Sequence, residues 1–125
     1  MNKIFVVKEQ LLNPNDMEPW WLYIMKTGPY LKVGIAVDVQ LRRRNLQAGT
    51  PFTLSVIYKK RLPRVFAQRF EKHIHRQLRQ FLHRGEWFAT DVATVRATIK
   101  DANAHLRNWG AEYRRHTQWL EPYEQ

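Results

Sequence analysis

Apolar residues follow a period of two over the first half of the chain. In residues 20–25, Trp20, Leu22 and Ile24 interleave with Trp21, Tyr23 and Met25. In residues 30–36, Leu31, Val33 and Ile35 interleave with Lys32 and Gly34. That period marks β-strands, so the pattern predicts a hairpin about a Thr27-Gly28 turn. With Leu22, Ile24, Leu31, Val33 and Ile35 facing the core, Tyr23, Lys32 and Gly34 share the opposite face. Such a turn sets Tyr23 directly opposite Lys32, and Gly34 leaves open space beside them.

Asp38 is a good N-cap for a helix over residues 39–47, stopped by Gly49 and Pro51. Residues 53–60 predict a third strand with Leu54, Val56 and Tyr58 on one face. The period then lengthens. Phe66, Phe70, Ile74, Leu78 and Phe81 form the apolar stripe of a helix over residues 64–82, before Gly85. Thr90 or Asp91 caps a last helix with Val92, Val95, Ile99, Ala102, Leu106 and Trp109 inward, and Gly110 stops it. The expected fold class is α+β: a three-stranded antiparallel sheet flanked by helices, with an extra C-terminal helix. Residues 1–19 read as an extension in which Ile4-Phe5-Val6-Val7 forms an edge strand. Residues 20–110 read as the domain, and residues 111–125 as a tail.

Composition narrows the partners. The chain has 125 residues, with 21 lysines and arginines against 11 aspartates and glutamates, a net charge of +10. Arginine, which grips phosphate through a bidentate fork, supplies most of the excess. A compact basic domain calls for a polyanion, here nucleic acid. There is no cysteine, which excludes disulfides and thiolate metal sites and favours a reducing compartment. The early apolar run is too short for a signal peptide or a membrane span. The expectation is a soluble cytoplasmic protein.

Candidate chemistry lies in Tyr23, Lys32, Arg42, Glu71 and His75. A phenol, two cations and a carboxylate suit phosphodiester cleavage, the carboxylate for a hard cation and the cations for phosphate. Glu71 sits at the border of the helical stripe. It is either a metal ligand or a surface acid paired with Lys72 or Arg76. His73 and His75 are two apart on one helix and cannot share an ion, which argues against zinc. His75, one turn after Glu71, either orients it or is an ordinary surface histidine. In the run Arg42-Arg43-Arg44, the first falls near the Tyr23 face. Arg43 and Arg44 reach backbone phosphates or water. Gly85-Glu86-Trp87-Phe88 is either a packed return strand or a loop whose Trp87 stacks on a base.

Several segments together resemble the GIY-YIG nuclease superfamily, in its small phage and prophage form. Trp21-Leu22-Tyr23-Ile24 is similar to the first signature strand, and Leu31-Lys32-Val33-Gly34-Ile35 to the second. Arg42 follows Gly34 by eight residues. Asn45-Leu46-Gln47-Ala48-Gly49-Thr50-Pro51, Phe70-Glu71-Lys72-His73-Ile74-His75 and Gly85-Glu86-Trp87-Phe88 are similar to three later motifs. The resemblance covers residues 21–88. It departs at Trp21, where the pattern has Gly, and at Lys32, where it has Tyr. The resemblance implies a metal-dependent DNA endonuclease using Mg²⁺ or Mn²⁺. Tyr23 would activate water, Lys32 would lower the phenol's pKa, and Arg42 would stabilise the transition state. Glu71 would hold the metal with help from His75, and Arg43, Arg44 and Arg64 would hold the strand. The alternative is a non-catalytic nucleic-acid-binding module that kept the same fold. Neither strandedness nor the choice of DNA over RNA follows from the residues.

Overall fold

The computed structural model describes residues 15–117. The Ile4–Val7 edge strand and the end of the tail lie outside them. Five strands and three helices follow in the order β1 (Pro19–Thr27), β2 (Tyr30–Ala36), α1 (Val39–Gln47), β3 (Ser55–Pro63), α2 (Arg64–Gln77), β4 (Leu82–Arg84), β5 (Trp87–Phe88) and α3 (Val92–Thr117). The class is α+β as expected, but the sheet has five antiparallel strands rather than three, in the order β3-β1-β2-β5-β4. The extra pair is a hairpin of two short strands built around Gly85 and Glu86. Strands of three and two residues are too short to show an alternation in sequence.

β1 and β2 are central and buried on both faces. One face carries the main core, with Leu22, Ile24, Leu31, Val33, Leu62 and Phe88 packed on Phe66, Phe70 and Ile74 of α2 and on Val95 and Ile99 of α3. The other carries a smaller cluster of Tyr23, Met25, Ala36 and Val39, with Trp21, Leu46 and Val56 against it. The expectation that Tyr23 and Lys32 lie on a non-core face is therefore corrected: Tyr23 is 1% exposed and Lys32 7%.

The hairpin register also differs from expectation. Thr27 pairs with Tyr30, so the turn is Gly28-Pro29, and Tyr23 stands opposite Gly34 while Met25 stands opposite Lys32. Gly28 takes φ +53°, a conformation strained for other residues. A second correction concerns β3. The register slips between Ile24, opposite Tyr58, and Met25, opposite Val56, leaving Ile57 as an exposed extra residue. This bulge turns Tyr58 to the main core and Val56 to the smaller cluster, so the two do not share a face.

α2 ends at Gln77 rather than continuing to residue 82, because Arg79–Phe81 tightens into a 3₁₀ turn that feeds β4. No side chain caps the start of α2. Its first free N–H groups instead reach backbone carbonyls of the segment before β1, Arg64 N to Glu18 O (2.8 Å) and Val65 N to Asp16 O (2.9 Å). α3 runs through Gly110 to Thr117, so Gly110 does not stop it. The packing of Trp109 and Tyr113 on Phe66 outweighs the roughly 1 kcal/mol that a helical glycine costs.

Candidate metal and phosphate site

The site forms where β2 runs past the end of β5. β5 pairs with β2 only at Leu31 and Lys32, so the outer edge of β2 is open beyond them. An open edge leaves backbone groups unpaired. Three neighbours take them up: Glu86 O receives Val33 N (3.4 Å), His75 Nε2 donates to Val33 O (2.6 Å), and Glu71 accepts from the Ile35 amide. A carbonyl only accepts, so Nε2 carries the proton and the lone pair His75 can offer is on Nδ1. Glu71 and His75 lie one helical turn apart on α2, which brings both over the same edge.

This edge gathers a carboxylate from α2, an imidazole from α2 and a carboxylate from the β4–β5 turn. One donor atom each of Glu71, His75 and Glu86 lie within 4.8 Å of one another. That span fits ligands across a single ion, and two carboxylates with one imidazole suit a hard divalent cation such as Mg²⁺ or Mn²⁺. The sequence pattern alone assigns Glu86 no role. Its signal was present, an acid in the Gly85 turn of a chain poor in acids, but only the β4–β5 hairpin shows where it goes.

Burial is the main reason the Glu71 carboxyl is pushed above its ordinary range, with the Glu86 charge adding to it; His75, the Ile35 amide and Lys32 pull the other way. Lys32 forms an ion pair with Glu86, Nζ to Oε2 3.1 Å, and lies 5.3 Å from the Trp87 ring centroid. Glu71 therefore faces Ile35, His75 and Glu86 rather than only solvent.

Tyr23 stands on the smaller-cluster face above Gly34. A Cβ on Gly34 would lie 2.7 Å from Tyr23 Cζ, closer than a real contact permits, so the glycine makes room for the phenol. Arg42 on α1 hydrogen-bonds the phenol, and α1 is held by its cap, Leu41 N to Asp38 Oδ1 3.0 Å. Burial raises the Tyr23 pKa above that of a free phenol; Arg42 opposes this, and the charges of Glu86 and Glu71 add to it. The expectation that Lys32 lowers this pKa is corrected. Lys32 is opposite Met25 and paired with Glu86, and the cation acting on Tyr23 is Arg42.

Tyr23, Arg42, Glu71, His75 and Lys32 thus converge on one end of β2, linked through Glu86. The residues expected to hold a strand are spread more widely. Arg43 is half-buried with Nε on Gln40 Oε1 (3.3 Å), and Arg44 and Arg64 are exposed at the end of α1 and the start of α2. Trp87 lies in a strand, as a packed return would have it, and still shows part of its ring. Among the described residues, no helix is long and apolar enough to cross a membrane.

Fold and site together define a basic α+β domain with a carboxylate–imidazole cluster at an open sheet edge. The sequence profile of the T5orf172 domain matches residues 21–103, and the chain belongs to this phage-associated domain family. The match corrects the GIY-YIG assignment: the motif order is similar to that superfamily, but the T5orf172 profile is the one the chain fits. No curated protein and no solved structure matches the chain.

Proposed function

We propose that the domain hydrolyses phosphodiester bonds in nucleic acid, with DNA as substrate, and that Glu71, His75 and Glu86 hold the divalent cation this needs. The observation that carries the reading is the convergence of those three donors within 4.8 Å, beside the buried Tyr23 phenol, which the exposed Arg42 reaches from α1. When bound, Mg²⁺ or Mn²⁺ supplies positive charge against the phosphate oxygens. Arg42 adds a fixed charge on the side where the transition state becomes more negative. Tyr23 orients the attacking water and accepts its proton once the phenol is ionised. Burial holds the phenol neutral and the Glu86 and Glu71 charges add to it; those two charges are the ones a bound cation would compensate. The water oxygen attacks phosphorus, the bond to the deoxyribose oxygen breaks, and that oxygen takes a proton from solvent. Lys32 holds Glu86 in place through their ion pair, and Arg43, Arg44 and Arg64 bind the strand.

A second reading, a nucleic-acid-binding module without catalysis, draws on two observations. Lys32 already neutralises Glu86, and Tyr23 is buried as a neutral phenol. Cleavage of labelled DNA with and without Mg²⁺, for the parent and Glu71→Gln, separates the two. The nuclease reading expects Mg²⁺-dependent cutting that falls by orders of magnitude in the variant while DNA binding persists. Parental cutting by Glu71→Gln overturns the metal role given to Glu71, and no cutting of any substrate by the parent favours the binding module.

A further inference from the structure

A groove of about 580 Å³ opens next to the site, between the β1–β2 turn, the loop after α1 and the β4–β5 hairpin. Its volume is within the roughly 300–1,000 Å³ usual for ligand sites. Trp87 belongs to both places. It lines the groove, and its ring lies 5.3 Å from Lys32 Nζ, which is 3.1 Å from the Glu86 carboxylate.

The walls are aromatic. Tyr30 and His83 stack with ring centroids 4.4 Å apart and planes 21° apart, and both line the groove. Phe52 stands on the opposite rim, 66% exposed, which is unusual for a phenylalanine with no core to join. The loop that carries it is built rather than loose. Gln47 Nε2 donates to Phe52 O (2.9 Å) and Thr50 O (3.4 Å), while Gln47 Oε1 accepts from Leu54 N (2.8 Å). One side chain thus clamps the loop from both sides and holds the backbone at Phe52. Arg84 is an exposed cation on the hairpin side of the same groove.

Flat aromatic faces, a cation for phosphate and a preset loop make a surface for a planar group attached to a polyanion. We infer that this groove takes an unpaired nucleobase next to the phosphate held at the β2 edge, so that the chain prefers unpaired strands, flaps or bulges to continuous duplex. In a duplex each base is stacked between its neighbours and cannot enter. In an unpaired strand it is free to stack on Phe52, Trp87 or the Tyr30–His83 wall. The inference rests on the phosphodiester reading of the neighbouring site for its orientation, while its test is a binding measurement.

The test measures affinity for a short unpaired strand and for the duplex of the same sequence, as DNA and as RNA, in a chelator so that nothing is cut. An unpaired strand carrying 2-aminopurine reports stacking by loss of fluorescence. The expected result is at least about fivefold tighter binding of the unpaired form and clear quenching. Phe52→Ala, at an exposed position where folding is not at risk, is expected to weaken the unpaired strand about tenfold, to reduce the quenching, and to leave the duplex within about twofold. Equal binding of both forms, or a Phe52→Ala variant that weakens both alike or neither, overturns the groove. That result alongside Mg²⁺-dependent cutting would leave the nuclease reading standing. Intact selectivity in a chain that never cuts supports the groove and removes the nuclease reading.

Discussion

Gly34 makes room for the Tyr23 phenol across the strand pair. With Tyr23 directly opposite, the ring crosses the space where a side chain on residue 34 would begin. Gly34→Ala is expected to fold but to lose about 1–3 kcal/mol through overpacking, because the ring it meets is also held by Arg42. Melting should drop by several degrees and cleavage by more than tenfold. An unchanged rate would mean that the position of Tyr23 does not matter. The residue kit was largely legible in the sequence, since Tyr23, Arg42, Glu71 and His75 could be singled out from strand and helix patterns. Glu86 was not, because its role depends on a two-residue turn that places it across from α2. Lys32 is misplaced by a turn set one residue early, at Thr27-Gly28 instead of Gly28-Pro29, which moves every cross-strand partner by two.

At the scale of elements, α1 and α3 each hang on one polar contact that can be tested. Asp38 caps α1, the helix that carries Arg42. Asp38→Ala should cost about 1 kcal/mol, seen in denaturant unfolding. It should also lower cleavage more than a comparable loss far from the site, since α1 holds the guanidinium. Tyr113 ties α3 to the segment before β1, with its hydroxyl donating to Asp16 Oδ2 at 3.1 Å. Burial first, and then Asp16, push its pKa up to about 12. A raised folded pKa favours the folded state below the unfolded value of about 10 and loses that advantage as pH climbs through about 12. Stability should therefore fall between roughly pH 10 and 12. Tyr113→Phe should be less stable than the parent at neutral pH and lose less over that alkaline window. Identical alkaline profiles would show that this contact carries no linkage. Helices were legible to within a turn where stripe and cap agreed, as in α1. Their ends failed where tertiary contact overrode a local signal: Gly110 sits inside α3, and Arg79–Phe81 left α2 for a 3₁₀ turn.

For the whole molecule, a net charge of +10 and a cation-rich surface predict binding that weakens steeply with salt, as phosphate contacts release counterions. Arg43 and Arg44 changed together to Gln should flatten the slope of log affinity against log salt. An affinity flat between low and physiological salt would argue against a phosphate-tracking surface. The α+β class could be read from the order of periodicities. The full sheet could not, because β4 and β5 are too short to carry a pattern and β3 changes face at a bulge. Those same unreadable parts build the site, since the short β5 leaves the β2 edge open and the turn before it supplies Glu86. The most direct test of the account is a crystal soaked in Mn²⁺, with anomalous scattering used to find the ion. The account predicts one peak between Glu71, Glu86 and His75, about 2.0–2.6 Å from the nearest carboxylate oxygens, and no such peak in Glu71→Gln. A peak elsewhere, or none while Lys32 still holds Glu86, would contradict it.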